Sequence, residues 1–254
     1  MNANVFLDRA KPTLTVMVQA DNPHRIMNLM DQSMPLGAEA FGIQFEQMRP
    51  EDRTPQVYRQ LFAHAKEKPL YVTNYRCAKN TGKSDVCLAD ELLEIAECGA
   101  DLCDVMGDYF DPQVGEMTYQ RDAVEKQKAL IQALHAKGAK VLMSSHIFHF
   151  TPAQEVLKVA LAHQERGADI CKIVVGAENP EQEVENLRIS CMLKEKLRIP
   201  FLFLSGGACA LLRRVGGALG CCMILCVYEH DDFSTKQQPL LREVKQIREL
   251  IPNP

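Results

Sequence analysis

The chain has 254 residues, of which 46% are hydrophobic and 24% are charged, the balance of a globular protein with a sizeable core. The formal net charge is −4 at pH 7, and no part of the chain carries a long run of one sign. We therefore expect no nucleic-acid partner, because a nucleic-acid-binding protein presents a basic face.

Neither a secretion signal nor a membrane helix is expected. The amino terminus lacks the charged and then apolar pattern of a signal peptide, and the longest nearly uncharged apolar stretch, 215–228, falls short of the ~20 residues that a membrane helix needs. The ten cysteines form no CxxC pair, and a chain of this length does not depend on disulfides. We therefore expect free thiols, no zinc site and a cytoplasmic location.

Short apolar runs alternate with helix-length amphipathic segments along the whole chain. We predict strands at 14–18, 41–45, 70–74, 102–106, 140–145, 170–175, 200–204 and 221–227. We predict helices at 22–32, 55–65, 86–98, 120–136, 152–166, 181–197, 208–217 and 239–250. Each predicted strand is followed by enough residues for the helical crossover that parallel strands require.

The residues between these segments support the same boundaries. Gly99, Gly138 and Gly167 each follow a predicted helix, where a left-handed glycine ends a helix at little cost. Thr151 and Asn179 each precede a proline, a pairing typical of a helix start.

Eight βα units predict an α/β fold, a (β/α)8 TIM barrel, as a single domain over residues 1–254. The alternative is an open doubly wound sheet. No GxGxxG follows the first strand, and the glycine pairs near 206 and 216 are more typical of tight turns than of a phosphate loop.

Lys172 is the first candidate for chemistry, because it lies in the middle of the apolar strand ICKIVV. A buried ammonium is costly unless it is paired or neutralised. One interpretation is a lysine at a strand end whose amine reaches water. The other is a desolvated amine that attacks a carbonyl and forms a Schiff base.

His146 lies at the carboxyl-terminal end of the preceding strand, the end at which barrel enzymes place their active sites. Considered alone, His146 is more typical of a cap or loop histidine. Next to a buried lysine it becomes a candidate general acid/base, because imidazole titrates near neutral pH. His146 and His149 also have a spacing that metal ligands use, but no third ligand stands at a telling distance, so we predict no metal site.

Two segments resemble the type I 3-dehydroquinate dehydratase family, a group of Schiff-base barrels in the shikimate pathway. VLMSSHIFHFTP, residues 141–152, is similar to the family's strand ending in Ser-x-His-x-Phe and followed by Thr-Pro. GADICKIVV, residues 167–175, is similar to the family's stretch that carries the imine lysine, and the interval between the two segments is also close to the family's. The resemblance covers about residues 66–250.

The resemblance implies roles for individual residues. It makes Lys172 the Schiff-base lysine and His146 the proton-transfer residue. Arg214, after the seventh strand, would hold the substrate carboxylate. Ser234 and Gln238 would belong to a loop that closes over the substrate after the eighth strand.

The residues of the second strand and those that follow the third strand match the family less well. Arg76 corresponds to the family's third-strand arginine only if one residue is inserted before it. Asn80 stands where the family has a glutamate that partners the histidine, and we expect it to contact His146 or the substrate. Gln44 and Glu46 stand where the family has Glu-x-Arg in contact with substrate.

Two further positions depart from the family. On the fourth strand the family's Asp-x-Glu becomes Asp104 and Met106, so the glutamate is replaced. Ile147 stands where an aspartate usually follows the histidine. The imine residues and the carboxylate-binding arginine are thus present, while the polar groups around them have changed.

The resemblance implies a hydro-lyase that converts 3-dehydroquinate to 3-dehydroshikimate for aromatic amino acid biosynthesis, with no metal or cofactor. The substrate would be a carboxylated cyclic ketone, and the enzyme a homodimer. One alternative is an imine-forming lyase or aldolase on a related keto acid. Another is a barrel that binds a metabolite or a partner chain without catalysis.

Overall fold

Eight apolar segments form one parallel sheet in the computed structural model of the chain, which describes residues 4–208 and 210–251. The strands are β1 Thr13–Val18, β2 Ala40–Gln44, β3 Leu70–Thr73, β4 Leu102–Met106, β5 Lys140–His146, β6 Ile170–Ala177, β7 Phe201–Gly207 and β8 Met223–Cys226. Each strand pairs with its neighbours in sequence, and β1 also pairs with β8. A parallel bridge between Phe201 and Cys221 joins β7 to the start of the last segment, so the sheet closes on itself.

Helices connect the strands. They are α1 Asn4–Leu7, α2 Pro23–Ser33, α3 Pro55–His64, α4 Asp85–Glu97, α5 Arg121–Ala136, α6 Ala153–Glu165, α7 Pro180–Lys196, α8 Leu212–Val215 and α9 Leu241–Leu250. The predicted α/β fold, a (β/α)8 TIM barrel, is confirmed, and the open doubly wound sheet is wrong because β1 pairs with β8. No helix within the described residues is long and apolar enough to cross a membrane.

The helix ends follow the sequence signals with one exception. Gly99, Gly138 and Gly167 all have positive φ, as expected where left-handed residues end helices. Asn179 caps α7, since its side chain accepts a hydrogen bond from the backbone N–H of Gln182. The prediction for Thr151 is wrong, because its hydroxyl donates to the carbonyl of His149 instead and α6 begins without a side-chain cap.

Two segments differ from the predicted elements. The predicted helix at 208–217 is reduced to the single turn α8, and Cys209 within it lies outside the described residues. The short helix α1 was not predicted from the sequence. Its Phe6 is fully buried in the same apolar cluster as Ala40 and Leu102, which begin β2 and β4, so it packs at the amino-terminal end of the strands.

Candidate active site

A cavity of about 190 Å³ lies at the carboxyl-terminal ends of the strands. Its position follows from the fold, because Gln44 and His146 are the last residues of β2 and β5 and both line it. The groups in its wall that bear on the chemistry are Gln44, Tyr71, Tyr75, His146, Lys172, Arg213 and Gln238. These groups come from six of the eight βα units, and Met17 of β1, which also lines the cavity, adds a seventh.

Lys172 is buried in the lumen and does not reach bulk water, being 4% exposed. Its Nζ forms an ion pair with Asp104 Oδ2 at 3.2 Å and donates to the hydroxyls of Tyr75 and Tyr71 at 2.6 and 3.0 Å. Val174, two residues on, lines the same cavity, as the alternation along a strand requires. The structure thus supplies the partners that a buried ammonium needs.

The two tyrosines and Asp104 form one hydrogen-bonded group around the lysine. Both hydroxyls donate to Asp104 Oδ2 at 2.5 Å, and Ser144 donates to Oδ1 at 2.5 Å. Burial and the nearby Asp104 carboxylate raise the pKa of Tyr71 and of Tyr75 well above its ordinary value. Both phenols therefore keep their protons at neutral pH and act as hydrogen-bond donors to Asp104.

His146 is held at the mouth of the cavity by three neighbours. Its Nδ1 lies 2.5 Å from Glu116 Oε2, and its ring packs edge-on against Tyr75 and stacks on Phe148. A carboxylate on one ring nitrogen fixes the orientation of the ring. With Nδ1 engaged, Nε2 is the nitrogen that can exchange a proton with a ligand.

Glu116 was missed by sequence reasoning, because it lies in an irregular loop between β4 and α5 with no recognisable motif. Its backbone has the unusual φ of +50°, and its carbonyl accepts from Ser145 Oγ at 2.7 Å. Gly107 allows this approach, since a Cβ there would meet the Glu116 carbonyl oxygen at 2.8 Å. The one available signal was Ser145, directly before the histidine, whose hydroxyl needs a partner when buried.

A buried network anchors the rest of that loop. The Arg166 guanidinium donates to the carbonyls of Gly107 and Thr118, and to the side chain of Gln127. Gln127 in turn donates to the carbonyls of Gly107 and Tyr109 at 3.2 and 2.9 Å. These contacts fix both ends of the segment that carries Glu116, so its carboxylate is presented to His146 by a rigid support.

Phe148 also has strained backbone, with φ of +62°. Its carbonyl oxygen passes within 2.6 Å of where a Cβ would stand on Gly176, so only glycine at 176 admits this loop. The strain places an aromatic ring, 70% exposed, over His146 at the cavity mouth. Strained residues thus flank the histidine on both sides, a pattern that accompanies functional sites.

The predicted carboxylate-binding residue, Arg214, is placed elsewhere by the structure. It is 40% exposed on α8 and approaches Glu243 of α9 at 3.8 Å, away from the cavity. Its neighbour Arg213 lines the cavity instead, held by a hydrogen bond from Nε to the carbonyl of Ser205 at 2.7 Å. Burial lowers the pKa of the Arg213 guanidinium to about 10. The assignment by counting from the strand was therefore off by one residue along a single helical turn.

Arg76 does not line the cavity. It pairs with Asp85 at the start of α4, at 2.6 Å, and with Asp108 in the loop after β4, at 2.8 Å. These two ion pairs tie neighbouring loops together, and they raise the pKa of Arg76 against the opposing effect of burial. The prediction that Arg76 contacts substrate is not supported, because its side chain turns away and Tyr75 occupies the lumen.

Asn80 is fully buried and contacts neither His146 nor the cavity. Its amide donates to Asn74 Oδ1 at 2.7 Å and to the Tyr75 carbonyl at 2.8 Å, and it accepts from Arg53. It therefore holds the loop after β3. The partner of the histidine is supplied by Glu116 from a different loop.

Glu46 is likewise fully buried beside the lumen and is absent from the cavity wall. Its carboxylate accepts from Thr73 Oγ1 at 2.9 Å, and burial raises its pKa to about 7. At neutral pH this group is therefore about half protonated, and it presents less negative charge than the sequence alone suggested.

The remaining predicted residues divide between cavity and loop. Gln44 lines the cavity and accepts from Gln19 at 2.5 Å, while Gln238 also lines it and has a buried Oε1 with no hydrogen-bond partner among the described residues. The Ser234 hydroxyl donates to the carbonyl of Asp231 and accepts from its N–H, and the Ser234 N–H donates to Asp231 Oδ1. Thr235 is the hydroxyl residue of this loop that lines the cavity.

A metal site is not apparent around the histidines. His149 is exposed while His146 is paired with Glu116. Across residues 4–208 and 210–251, no three His, Cys, Asp or Glu side chains are grouped as metal ligands.

Comparison with known proteins places the chain in a family. A family model described as type I 3-dehydroquinase matches residues 14–252. The chain belongs to the type I 3-dehydroquinase family. A 3-dehydroquinate dehydratase of Klebsiella pneumoniae is 39% identical over 94 residues, which cover 36% of this chain and 38% of that protein. The enzyme of Alkaliphilus oremlandii is 31% identical over 161 residues, covering 60% and 57%. The matched segments thus span well under two thirds of these relatives.

Solved structures of 3-dehydroquinate dehydratases share the fold. The one from Geobacillus kaustophilus superposes with a TM-score of 0.81 at 16% identity, covering 94% of this chain and 91% of that one. A type I enzyme from Clostridium difficile gives 0.80 at 18% identity, covering 96% and 93%. Within the type I 3-dehydroquinase family, this chain therefore keeps the barrel while its sequence has diverged widely.

Proposed function

We propose that this type I 3-dehydroquinase family member is a dehydratase that converts 3-dehydroquinate to 3-dehydroshikimate through an imine on Lys172. The observation that carries the proposal is the buried amine of Lys172 in a cavity that also holds the His146–Glu116 pair. The relatives named 3-dehydroquinate dehydratase support the substrate. Incubation of the protein with 3-dehydroquinate, followed by the enone absorbance of the product, tests it.

The steps follow from the positions of the two groups. Lys172 attacks the ring ketone, and loss of water gives an imine that withdraws electrons from the adjacent carbon. His146 removes a proton from that carbon, and the same nitrogen then protonates the departing hydroxyl. Hydrolysis of the imine releases 3-dehydroshikimate and regenerates the amine. The imine supplies the electron sink for the elimination, so no cofactor is part of this mechanism.

Arg213 is the group we assign to the substrate carboxylate. It is buried beside the cavity, and burial alone lowers the pKa of its guanidinium, so a bound anion would compensate the charge. Gln238, with its buried amide oxygen, offers an acceptor for a substrate hydroxyl on the same side. The geometry supports binding of an anionic, hydroxylated ring at fixed orientation, which proximity catalysis requires.

Adjacent arginines give a matched test of this assignment. We expect Arg213→Gln to lower kcat/KM by about 10- to 100-fold, mainly through KM, because one charged hydrogen-bonding anchor is lost. Arg214→Gln, one residue away on the same turn, should keep kcat/KM close to that of the parent protein. Steady-state kinetics with 3-dehydroquinate measure both. A loss confined to Arg214→Gln would restore the assignment made from the sequence.

Replacement of Glu116 should slow the reaction. The Glu116 carboxylate orients the His146 ring through Nδ1, so Glu116→Gln should lower kcat/KM by about tenfold, equivalent to about 1.4 kcal/mol of barrier. Steady-state kinetics with 3-dehydroquinate measure the loss. The amide keeps a hydrogen-bonding atom near Nδ1, so the fold should be preserved.

Glu178→Gln provides the control for that experiment. Glu178 is an exposed acid after β6 on the same end of the barrel, so its neutralisation changes the net charge equally without touching the histidine. An equal loss of kcat/KM in both variants would show that Glu116 acts only through general surface charge.

A second candidate is an imine-forming lyase or aldolase on a related keto acid. The observation in its favour is that Gln44 lines the cavity where the resemblance implied a glutamate, while Glu46 is withdrawn from it. An adduct on Lys172 with 3-dehydroquinate but no enone product would favour this candidate. The homodimer and the cytoplasmic location implied above stay predictions, as does a non-catalytic role.

A further inference from the structure

Tyr75 enters the lumen directly after β3 and faces Lys172 of β6 across it. Arg76, the residue expected in the lumen from the resemblance, turns outward to Asp85 and Asp108, and the preceding residue, Tyr75, lies in the cavity wall. The lumen thus holds a phenol at this point rather than a guanidinium.

The Tyr75 hydroxyl lies between the reacting amine and a carboxylate. It accepts from Lys172 Nζ at 2.6 Å and donates to Asp104 Oδ2 at 2.5 Å. Its ring also packs edge-on against His146, with the centroids 5.2 Å apart. Tyr75 therefore touches the amine directly and adjoins the proposed acid/base residue.

The backbone of Tyr75 is held from both sides by residues that depart from the family pattern. Its N–H donates to Glu46 Oε2 at 3.4 Å, and its carbonyl accepts from the Asn80 amide at 2.8 Å. Glu46 and Asn80 are fully buried and do not line the cavity. Glu46 and Asn80 thus share Tyr75 as a partner, and each holds its backbone in place.

We propose that Tyr75 is a further catalytic residue, which relays protons between the Lys172 amine, Asp104 and the carbonyl oxygen as the imine forms and hydrolyses. The proposal rests on the proposed imine function and adds a group that acts at nitrogen and oxygen, while His146 acts at carbon. Burial keeps Tyr75 in its phenol form, which a relay requires between steps.

The proton transfers balance in each step. Nζ passes one proton to Tyr75 while Tyr75 passes its own to Asp104, which leaves a neutral amine, a neutral carboxyl group and an unchanged phenol. The amine lone pair forms the C–N bond, and the C=O pair moves to oxygen. Tyr75 takes a second proton from the new C–N nitrogen and gives its own to that oxygen.

The final step returns the remaining proton. Asp104 passes its proton through Tyr75 to the carbinolamine hydroxyl, and the C–O bond breaks to release water. The nitrogen lone pair forms the C=N bond of the protonated imine, and Asp104 is again a carboxylate beside a positive charge. No reactant beyond the ketone is needed, and hydrolysis follows the same path in reverse.

Tyr71 provides an internal comparison. Its hydroxyl also contacts Lys172 Nζ, at the longer distance of 3.0 Å, and donates to the same Asp104 oxygen. Tyr71 is fully buried, whereas Tyr75 is partly exposed and adjoins His146 at the mouth, where the carbonyl oxygen of a ligand would lie. Tyr75 is therefore the phenol that can reach both the nitrogen and the oxygen.

The test measures imine formation apart from turnover. The parent protein, Tyr75→Phe and Tyr71→Phe are mixed with 3-dehydroquinate, quenched with borohydride at increasing times, and the adduct on Lys172 is quantified by mass spectrometry. We expect Tyr75→Phe to form the adduct about 100-fold more slowly, the usual effect of a positioned proton-transfer group, and Tyr71→Phe to show a clearly smaller loss. Thermal unfolding followed by circular dichroism confirms that each variant is folded.

Each outcome separates the relay from the proposed function. A parent protein that forms no adduct contradicts the imine function and the relay with it. An adduct that forms at the parent rate in Tyr75→Phe contradicts the relay alone, as does an equal loss in Tyr71→Phe. Slow adduct formation in Tyr75→Phe with a normal rate of the elimination at carbon, which His146 carries out, supports it.

Discussion

Borohydride added to the protein in the presence of 3-dehydroquinate will leave a stable adduct on Lys172, and Lys172→Met will form no adduct and show no turnover. The reason is that Lys172 is buried in the cavity, within hydrogen-bonding distance of two phenols and a carboxylate. A desolvated amine with a proton acceptor beside it is the form that attacks a carbonyl. Mass spectrometry of the digested protein locates the adduct.

The matched control is Lys140→Met, which removes the lysine at the start of the adjacent strand. Lys140 pairs with Asp169 at 3.1 Å at the opposite end of the barrel, so its loss should leave adduct and turnover unchanged. An adduct on Lys140 or on another lysine, with Lys172 unmodified, would show that the reactive amine was wrongly assigned.

The barrel was predictable from the sequence because its signals are local. Each strand is a short apolar run, and each of the glycines at 99, 138 and 167 ends a helix where its φ is positive. The weak points were equally local. Thr151 is a residue type that caps helices, yet its hydroxyl donates to the carbonyl of His149, and the helix predicted at 208–217 is reduced to the single turn α8.

The centre of the site was predictable for a different reason. Lys172 and His146 lie on adjacent paired strands in which Ser144 opposes Lys172 and His146 opposes Val174, so strand position alone fixes their common direction. A lysine inside an apolar strand is costly enough to signal a function. For residues on regular strands, the alternation of side chains along the sequence therefore predicts which of them face the same side of the sheet.

The surrounding residues were not predictable, because loops decide where they point. Arg76 turns outward to Asp108 while Tyr75, the residue before it, lines the cavity, and Arg213 lines the cavity while its neighbour Arg214 on the same helical turn contacts Glu243. Glu116 reaches His146 from a loop whose path depends on buried contacts to its backbone. No local pattern in the sequence encodes such a path.

His146→Ala should lower turnover by about 10²- to 10⁴-fold, equivalent to about 3 to 5 kcal/mol of barrier, because a positioned acid/base contributes that much. The effect should fall on the carbon chemistry alone. Tyr75 and Asp104 remain beside the amine, so the borohydride adduct on Lys172 should still form at nearly the parent rate. Borohydride trapping at increasing times measures the rate of adduct formation, and steady-state kinetics on the same preparation measure turnover.

His149→Ala is the control that isolates the role of the histidine at 146. His149 is exposed three residues further along the same loop, and its backbone carbonyl accepts from the N–H of Gly176 and from the hydroxyl of Thr151. Its loss should leave turnover and trapping unchanged.

Retention of near-parent turnover in His146→Ala would reduce His146 to a residue that orders the cavity mouth with Phe148. Loss of both turnover and adduct would instead show that His146 also takes part in imine formation, so that proton transfer at nitrogen and oxygen would not belong to Tyr75 alone. Intact trapping with turnover lost is the pattern expected when Lys172 and Tyr75 build the imine and His146 moves the proton at carbon.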